Sequence, residues 1–216
     1  MAKPNVNYIK KEPFRDARLI IVVCEGNVRE PAYFRFFDGF SSKVQIVAVE
    51  SGISSSPKWM VDRALSKEEE IGVSKDIDQV WFAVDTDKWS NQLHELRAAC
   101  EGKPHWRVAE SNPCFEVWLY YHAKANPPAL PDHALGQCGT WKPHLHETII
   151  GGFDSSQHPI AIEKAIEHAR NHYRATGYSP DPGSTDVWKL GEELLRLIGK
   201  DLEAIKSRFS GPKLRD

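Results

Sequence analysis

The sequence predicts an α/β fold built on a central parallel sheet flanked by helices, and three observations carry that expectation. The runs Leu19–Cys24, Val44–Val49 and Val80–Val84 are short, continuously apolar and rich in β-branched residues, as strands buried on both faces are. Each is followed by a stretch with helical character, which is the βαβ order of a parallel sheet. At 216 residues, 41% of them hydrophobic, the chain is ample for one sizeable core and marginal for two.

Residues 1–17 are polar and charged, carry Pro4 and Pro13, and read as an N-terminal arm. The α/β core spans residues 18–125. Its first strand, Leu19–Cys24, ends in Glu25-Gly26, and a helix follows over Glu30–Phe37, closing near Gly39. The second strand, Val44–Val49, stops at Ser51-Gly52. Pro57 opens a helix to Ile71, with Trp59, Val61 and Leu65 among its apolar positions and Gly72 as its stop. The third strand, Val80–Val84, halts at Asp85, and Trp89–Cys100 reads as a helix stopped by Gly102. A weaker strand, Trp106–Ala109, precedes Ser111-Asn112-Pro113 and a dense helix over Cys114–Ala123, with Pro113 at its first position and Asn112 or Ser111 as cap. Residues 126–152 carry Pro127, Pro128, Pro131 and Pro143 without a clear period and read as an irregular loop insertion. Helices over Ile160–Thr176, Thr185–Leu197 and Asp201–Phe209 make residues 153–216 a helical extension packed on the core.

The formal net charge of −2, from 28 basic and 30 acidic side chains, excludes a broadly basic, histone-like mode of nucleic-acid binding and leaves room for a local basic groove. Cys24, Cys100, Cys114 and Cys138 form no C-x-x-C pair. Met1–Ile9 lacks the apolar core of a secretory signal, and no apolar run approaches the roughly 20 residues that span a bilayer. A cytoplasmic protein with free thiols, away from membranes, is the expectation.

Ligands in parallel sheets bind beyond the carboxyl ends of the strands. Two runs end there in acids: Cys24 in Glu25, and Val84 in Asp85-Thr86-Asp87. On neighbouring strands these three carboxylates converge and call for a cation, and an all-oxygen set favours Mg²⁺, Mn²⁺ or Ca²⁺ over Zn²⁺. Taken singly, each acid is also an ordinary turn former or helix cap. Glu116 stands in a helix apolar nearly all round, where a carboxylate needs a partner, although a first-turn Glu favoured by the helix dipole fits equally well. His122 reads as a packed core residue, and Phe115, Trp81 and Trp118 as core before any base-stacking role. A zinc site from Cys138, His144 and His146 matches structural-zinc spacing weakly. A receiver-type phosphotransfer domain using Asp85 is disfavoured, because it wants two acids after the first strand and only Glu25 stands there.

Three segments together resemble the RloB family, a Toprim-type group associated with bacterial anti-phage and abortive-infection loci: Val23–Phe34 (VCEGNVREPAYF), Phe82–Asp87 (FAVDTD) and Ser111–Leu119 (SNPCFEVWL) followed by His122. Thr140-Trp141-Lys142 and the terminal helices resemble the family more loosely. Arg29 departs from the Thr usual there. The resemblance implies a Toprim-like (Rossmannoid) core and Mg²⁺- or Mn²⁺-dependent phosphodiester chemistry on DNA or RNA, with Glu25, Asp85, Asp87 and Glu116 as catalytic and metal-holding residues. Glu25 is alternatively a general acid or base. Gly26, Ser111, Asn112 and His122 would shape the motifs, and Arg29, Lys58, Lys88 and Lys142 are candidates for phosphate contact, though each alone reads first as a solvated charge. Family members are typically encoded beside an ATPase, so a nuclease acting with or under the control of a partner ATPase, restrained until a partner or trigger engages, is expected, and a homo-oligomer is compatible. The alternative is a non-catalytic regulatory subunit that binds nucleic acid or a nucleotide signal.

Overall fold

The computed structural model describes residues 17–89 and 92–215, with Lys88 and Trp89 as backbone alone. The α/β segment runs β1 (Arg18–Cys24), α1 (Arg29–Arg35), β2 (Val44–Val49), α2 (Pro57–Ile71), β3 (Gln79–Asp85), α3 (Thr86–Trp89), α4 (Leu93–Glu101), β4 (Trp106–Ser111) and α5 (Glu116–Tyr121). Four strands form one sheet in the order β2-β1-β3-β4, with every pairing parallel. Period-2 alternation divides their side chains between two helical layers. Ile20, Val22, Cys24, Trp81 and Ala83 face a core completed by α1 and α5, whereas Leu19, Ile21, Val23, Phe82 and Val84 face Met60 and Ala64 of α2 and Leu93 and Leu96 of α4. With both faces covered, β1 and β3 can be apolar along their length.

The four apolar runs become strands that match or slightly exceed their expected bounds. Ser56 caps α2 by accepting a hydrogen bond from the Trp59 N–H, and Gly72 ends it in the left-handed region at φ 75°. Leu65, expected on the apolar face of this helix, is exposed, and Met60 and Ala64 are buried instead. The expected helix over Trp89–Cys100 starts later, at Leu93, and the one over Cys114–Ala123 is confined to Glu116–Tyr121. Neither Ser111 nor Asn112 is its cap: Ser111 ends β4 and the capping position is Phe115.

The stretch 126–152, expected to be irregular, holds two helices, α6 (Asp132–Leu135) and α7 (Cys138–Thr148). Its prolines mask the pattern. Pro143 lies inside α7, where it removes one intrahelical hydrogen bond, while Trp141, Leu145 and Ile149 recur every four residues and are buried. A 3₁₀ turn at His158–Ala161 leads into α8 (Ile162–His172), then a two-stranded hairpin of β5 (Ala175–Thr176) and β6 (Ser179–Pro180), and α9 (Val187–Ile205). The two helices expected over Thr185–Leu197 and Asp201–Phe209 are largely one. A buried stripe of Leu190, Leu194, Ile198 and Leu202 runs through Gly199 and outweighs the roughly 1 kcal/mol that glycine costs a helix. No helix among the described residues is long and apolar enough to cross a membrane.

Candidate functional site

β1 and β3 are adjacent and in register, Cys24 opposite Ala83, so both deliver acids to the same edge of the sheet. The Glu25 N–H extends the ladder to the Ala83 carbonyl at 3.0 Å, and the Asp85 N–H donates to Glu25 Oε2 at 2.8 Å. Asp85 Oδ1 in turn accepts from the Phe115 N–H at 2.8 Å, tying the end of β3 to the entry of α5. The N–H groups of Thr86 and Asp87 both donate to the Pro113 carbonyl, at 3.1 and 3.2 Å. The first residue of α5 is Glu116, buried, whose Oε1 is held by the Arg29 guanidinium from the start of α1. The expected acids are therefore brought to one place, Glu25 and Glu116 buried and Asp87 exposed.

A fifth acid joins them. Glu30 is buried, and the backbone N–H groups of Glu30 and Gly26 hold its carboxylate. A Cβ at position 26 would stand 2.3 Å from Glu30 Oε2, so Gly26 makes room for that carboxylate. Burial raises the Glu30 pKa, and the charge of Glu116 adds to the rise. Asp85 is pushed well above the usual carboxylate range, first by burial and then by the charges of Glu25, Glu30, Glu116 and Asp87. The cluster is open: among the described residues no three of these carboxylates bring oxygens within 4.8 Å of one another.

Beside Glu25 lies a cleft of about 250 Å³ lined by Gly26, Asn27, Ser51, Gly52 and Ser54. Asn27 ties its walls together: Oδ1 accepts from Ser51 Oγ and the Gly52 N–H at 2.9 and 2.8 Å, and Nδ2 donates to the Gly52 carbonyl. Of the expected phosphate contacts, Arg29 is half-exposed and engaged with Glu116, and Lys58 is exposed at the second position of α2. Lys142 is exposed on α7, its pKa raised by Cys138 and Glu116. The Lys88 side chain lies outside the described residues.

The motif-shaping positions hold elements together. Ser111 Oγ meets Thr185 Oγ1 at 2.8 Å, and Asn112 Nδ2 donates to the Pro180 carbonyl at 2.7 Å, joining the end of β4 to the segment before α9. His122 is buried between α5 and α1. Its Nδ1 faces the Trp118 carbonyl at 3.1 Å and so carries the proton, leaving Nε2 to accept from the Tyr33 hydroxyl at 3.1 Å. Burial pushes the His122 pKa down to about 3.

Sequence reasoning did not select Glu30 or Asn27 as site residues. The available signal was a second acid five positions after Glu25 with a glycine between. The sequence spacing places Cys138 near His144 and His146, whereas in the fold its neighbours are Cys114, in the turn before α5, and Glu116 of α5.

A family model described as RloB-like protein matches residues 20–194, most of the chain. A GATOR2 complex protein WDR24 from Xenopus laevis is 25% identical over 116 residues, covering 50% of this chain and 14% of that protein. The chain thus spans a small fraction of that curated relative. No solved structure matches.

Proposed function

The chain belongs to the RloB-like protein family, and from that premise we propose that it is a divalent-metal-dependent nuclease of Toprim-like fold, hydrolysing DNA or RNA phosphodiesters in anti-phage defence under the control of a partner ATPase. The observation that carries the reading is the convergence of Glu25 and Asp85, from adjacent parallel strands, with Glu30, Asp87 and Glu116. The side chains are all carboxylates, and Glu25, Glu30 and Glu116 among them are buried, a charge density that suits Mg²⁺ or Mn²⁺.

Glu25, Asp85, Asp87 and Glu116 would hold the metal, which when bound supplies Lewis-acid stabilisation of the scissile phosphate and a water of lowered pKa. Asp85 is kept oriented by the Phe115 N–H, and Glu25 by its hydrogen bond from the Asp85 N–H. Glu30, whose pKa is raised, is suited to hold a proton near the reacting phosphate. Arg29 and Lys142 flank Glu116 and would meet the nucleic-acid backbone, and a polar cleft at Asn27 and Ser51 lies beside Glu25.

The open spacing and the Arg29–Glu116 ion pair also favour a second reading, a non-catalytic subunit that binds nucleic acid or a nucleotide signal. The test is cleavage of labelled DNA and RNA with Mg²⁺ or Mn²⁺, with and without the partner ATPase, by wild type and Asp85→Ala. Cleavage by wild type alone supports the nuclease. Equal cleavage by both removes it, and binding that survives Asp85→Ala without any cleavage leaves the binding subunit.

A further inference from the structure

Two thiols and a carboxylate meet beside the acidic centre. Cys114 is buried in the turn between β4 and α5, Cys138 is the half-buried first residue of α7, and Glu116 opens α5. One donor atom from each lies within 4.8 Å of the other two, the one such group of three among the described residues. Cys138 Sγ is 3.9 Å from Glu116 Oε2, and since Arg29 holds Oε1, Oε2 is the oxygen that faces the sulfurs. Neither thiol is in a disulfide.

We propose that Cys114, Glu116 and Cys138 form a zinc site, separate in chemistry from the all-oxygen centre and joined to it through Glu116. Zinc takes sulfur at about 2.3 Å and carboxylate oxygen at about 2.0–2.2 Å in a tetrahedron, which places its donors roughly 3.5–3.8 Å apart. The donor atoms, all within 4.8 Å of one another, stand at most about 1.0–1.3 Å beyond that spacing, a gap that side-chain rotation would close. Thiolates select zinc against Mg²⁺ and Ca²⁺, so the two centres differ in the ions they take. Two thiolates and one carboxylate around Zn²⁺ leave one negative charge, and Arg29 and Lys142 stand beside it. Three protein donors leave a fourth position for water or a ligand. The site would pin α7 to α5, and by engaging Glu116 it would make the ion pair with Arg29 and the acidic centre responsive to zinc.

The test uses the whole chain, chelated under reducing conditions and titrated with cobalt(II) chloride, then zinc sulfate. One equivalent of cobalt should give thiolate-to-cobalt charge-transfer absorption and the intense visible bands of a tetrahedral site, both bleached by zinc. Cys138→Ser should weaken zinc binding at least tenfold. Cys100→Ser should leave it unchanged. Circular dichroism checks each fold, and Cys138, half-buried at a helix start, keeps the test open should Cys114→Ser fail to fold. Asp85→Asn should keep the cobalt spectrum while losing Mn²⁺ binding, which separates failure of this site from failure of the nuclease reading on which only its functional consequence rests. Absence of charge-transfer bands, bands that persist undiminished in Cys138→Ser, or a Cys114–Cys138 disulfide without bound zinc would each overturn the proposal.

Discussion

Burial and four neighbouring carboxylates act on Asp85 in the same direction, and that single residue shows how the acidic centre is balanced. Without a cation its charge destabilises the fold, so Asp85→Asn, which keeps an oxygen for the Phe115 N–H, should raise the melting temperature of chelator-treated protein by about 2–8 °C, from about 1–2 kcal/mol of relieved repulsion. Saturating Mn²⁺ should reverse the order, since ligand at a hundred times its dissociation constant adds about 2.7 kcal/mol to wild type alone. His122 makes stability depend on pH. Its folded pKa of about 3 lies below the ordinary value of about 6.5. It therefore adds stability that is fully present above pH ~6.5 and is lost as pH falls from there toward 3. The melting temperature of wild type should drop more steeply over that window than that of His122→Gln, and equal slopes would contradict the assignment. Glu25 and Asp85 were legible in the sequence because each ends an apolar run on strands that prove adjacent. Glu30 was not, because its inward placement depends on the space left by Gly26, a packing relation with no periodicity.

Elements are joined by buried polar links as much as by apolar contact. Arg97 of α4 makes a bidentate ion pair with buried Glu110 of β4, at 2.8 and 2.6 Å, and reaches Ser179 Oγ at 2.6 Å; the Asp186 N–H, at the start of α9, donates to the Glu110 carbonyl. Arg97→Ala should cost about 2–4 kcal/mol in denaturant unfolding by leaving Glu110 unpaired, and adding Glu110→Gln should recover part of that loss. At Gly191 of α9 an added Cβ would lie 2.9 Å from Ile166 Cγ1 of α8, so Gly191→Val should cost about 1–3 kcal/mol through overpacking. Strands were legible from short β-branched runs, and α2 from Pro57 and Gly72. Helix α7 was hidden because Pro143 punctuates its middle while the four-residue recurrence of Trp141, Leu145 and Ile149 supports it. The continuity of α9 was hidden in the same way by Gly199, whose local cost is smaller than the burial it interrupts.

Across the whole molecule one core face runs without a break from Ile20 and Val22 of β1 through Trp118 of α5 to Ile166 of α8 and Leu194 and Ile198 of α9. Truncation before Val187 should therefore uncover Trp118 and Ile166 and abolish cooperative unfolding, read as loss of the near-ultraviolet circular dichroism signal. A truncated chain that unfolds as sharply as the full one would contradict that continuity. The same architecture brings the carboxyl ends of β1 and β3, the entry of α5 and the start of α7 together, so that Glu116 adjoins both the acids and the thiols of Cys114 and Cys138. The proposed cleavage would depend on substrate and partner, whereas metal binding by the acids would need neither. Calorimetric titration of Mn²⁺ into chelator-treated wild type and Asp85→Asn is thus the most direct measurement. Saturable binding to wild type that falls at least tenfold in Asp85→Asn is the expected result, and equal binding by the two proteins, or none by wild type, would contradict the metal centre.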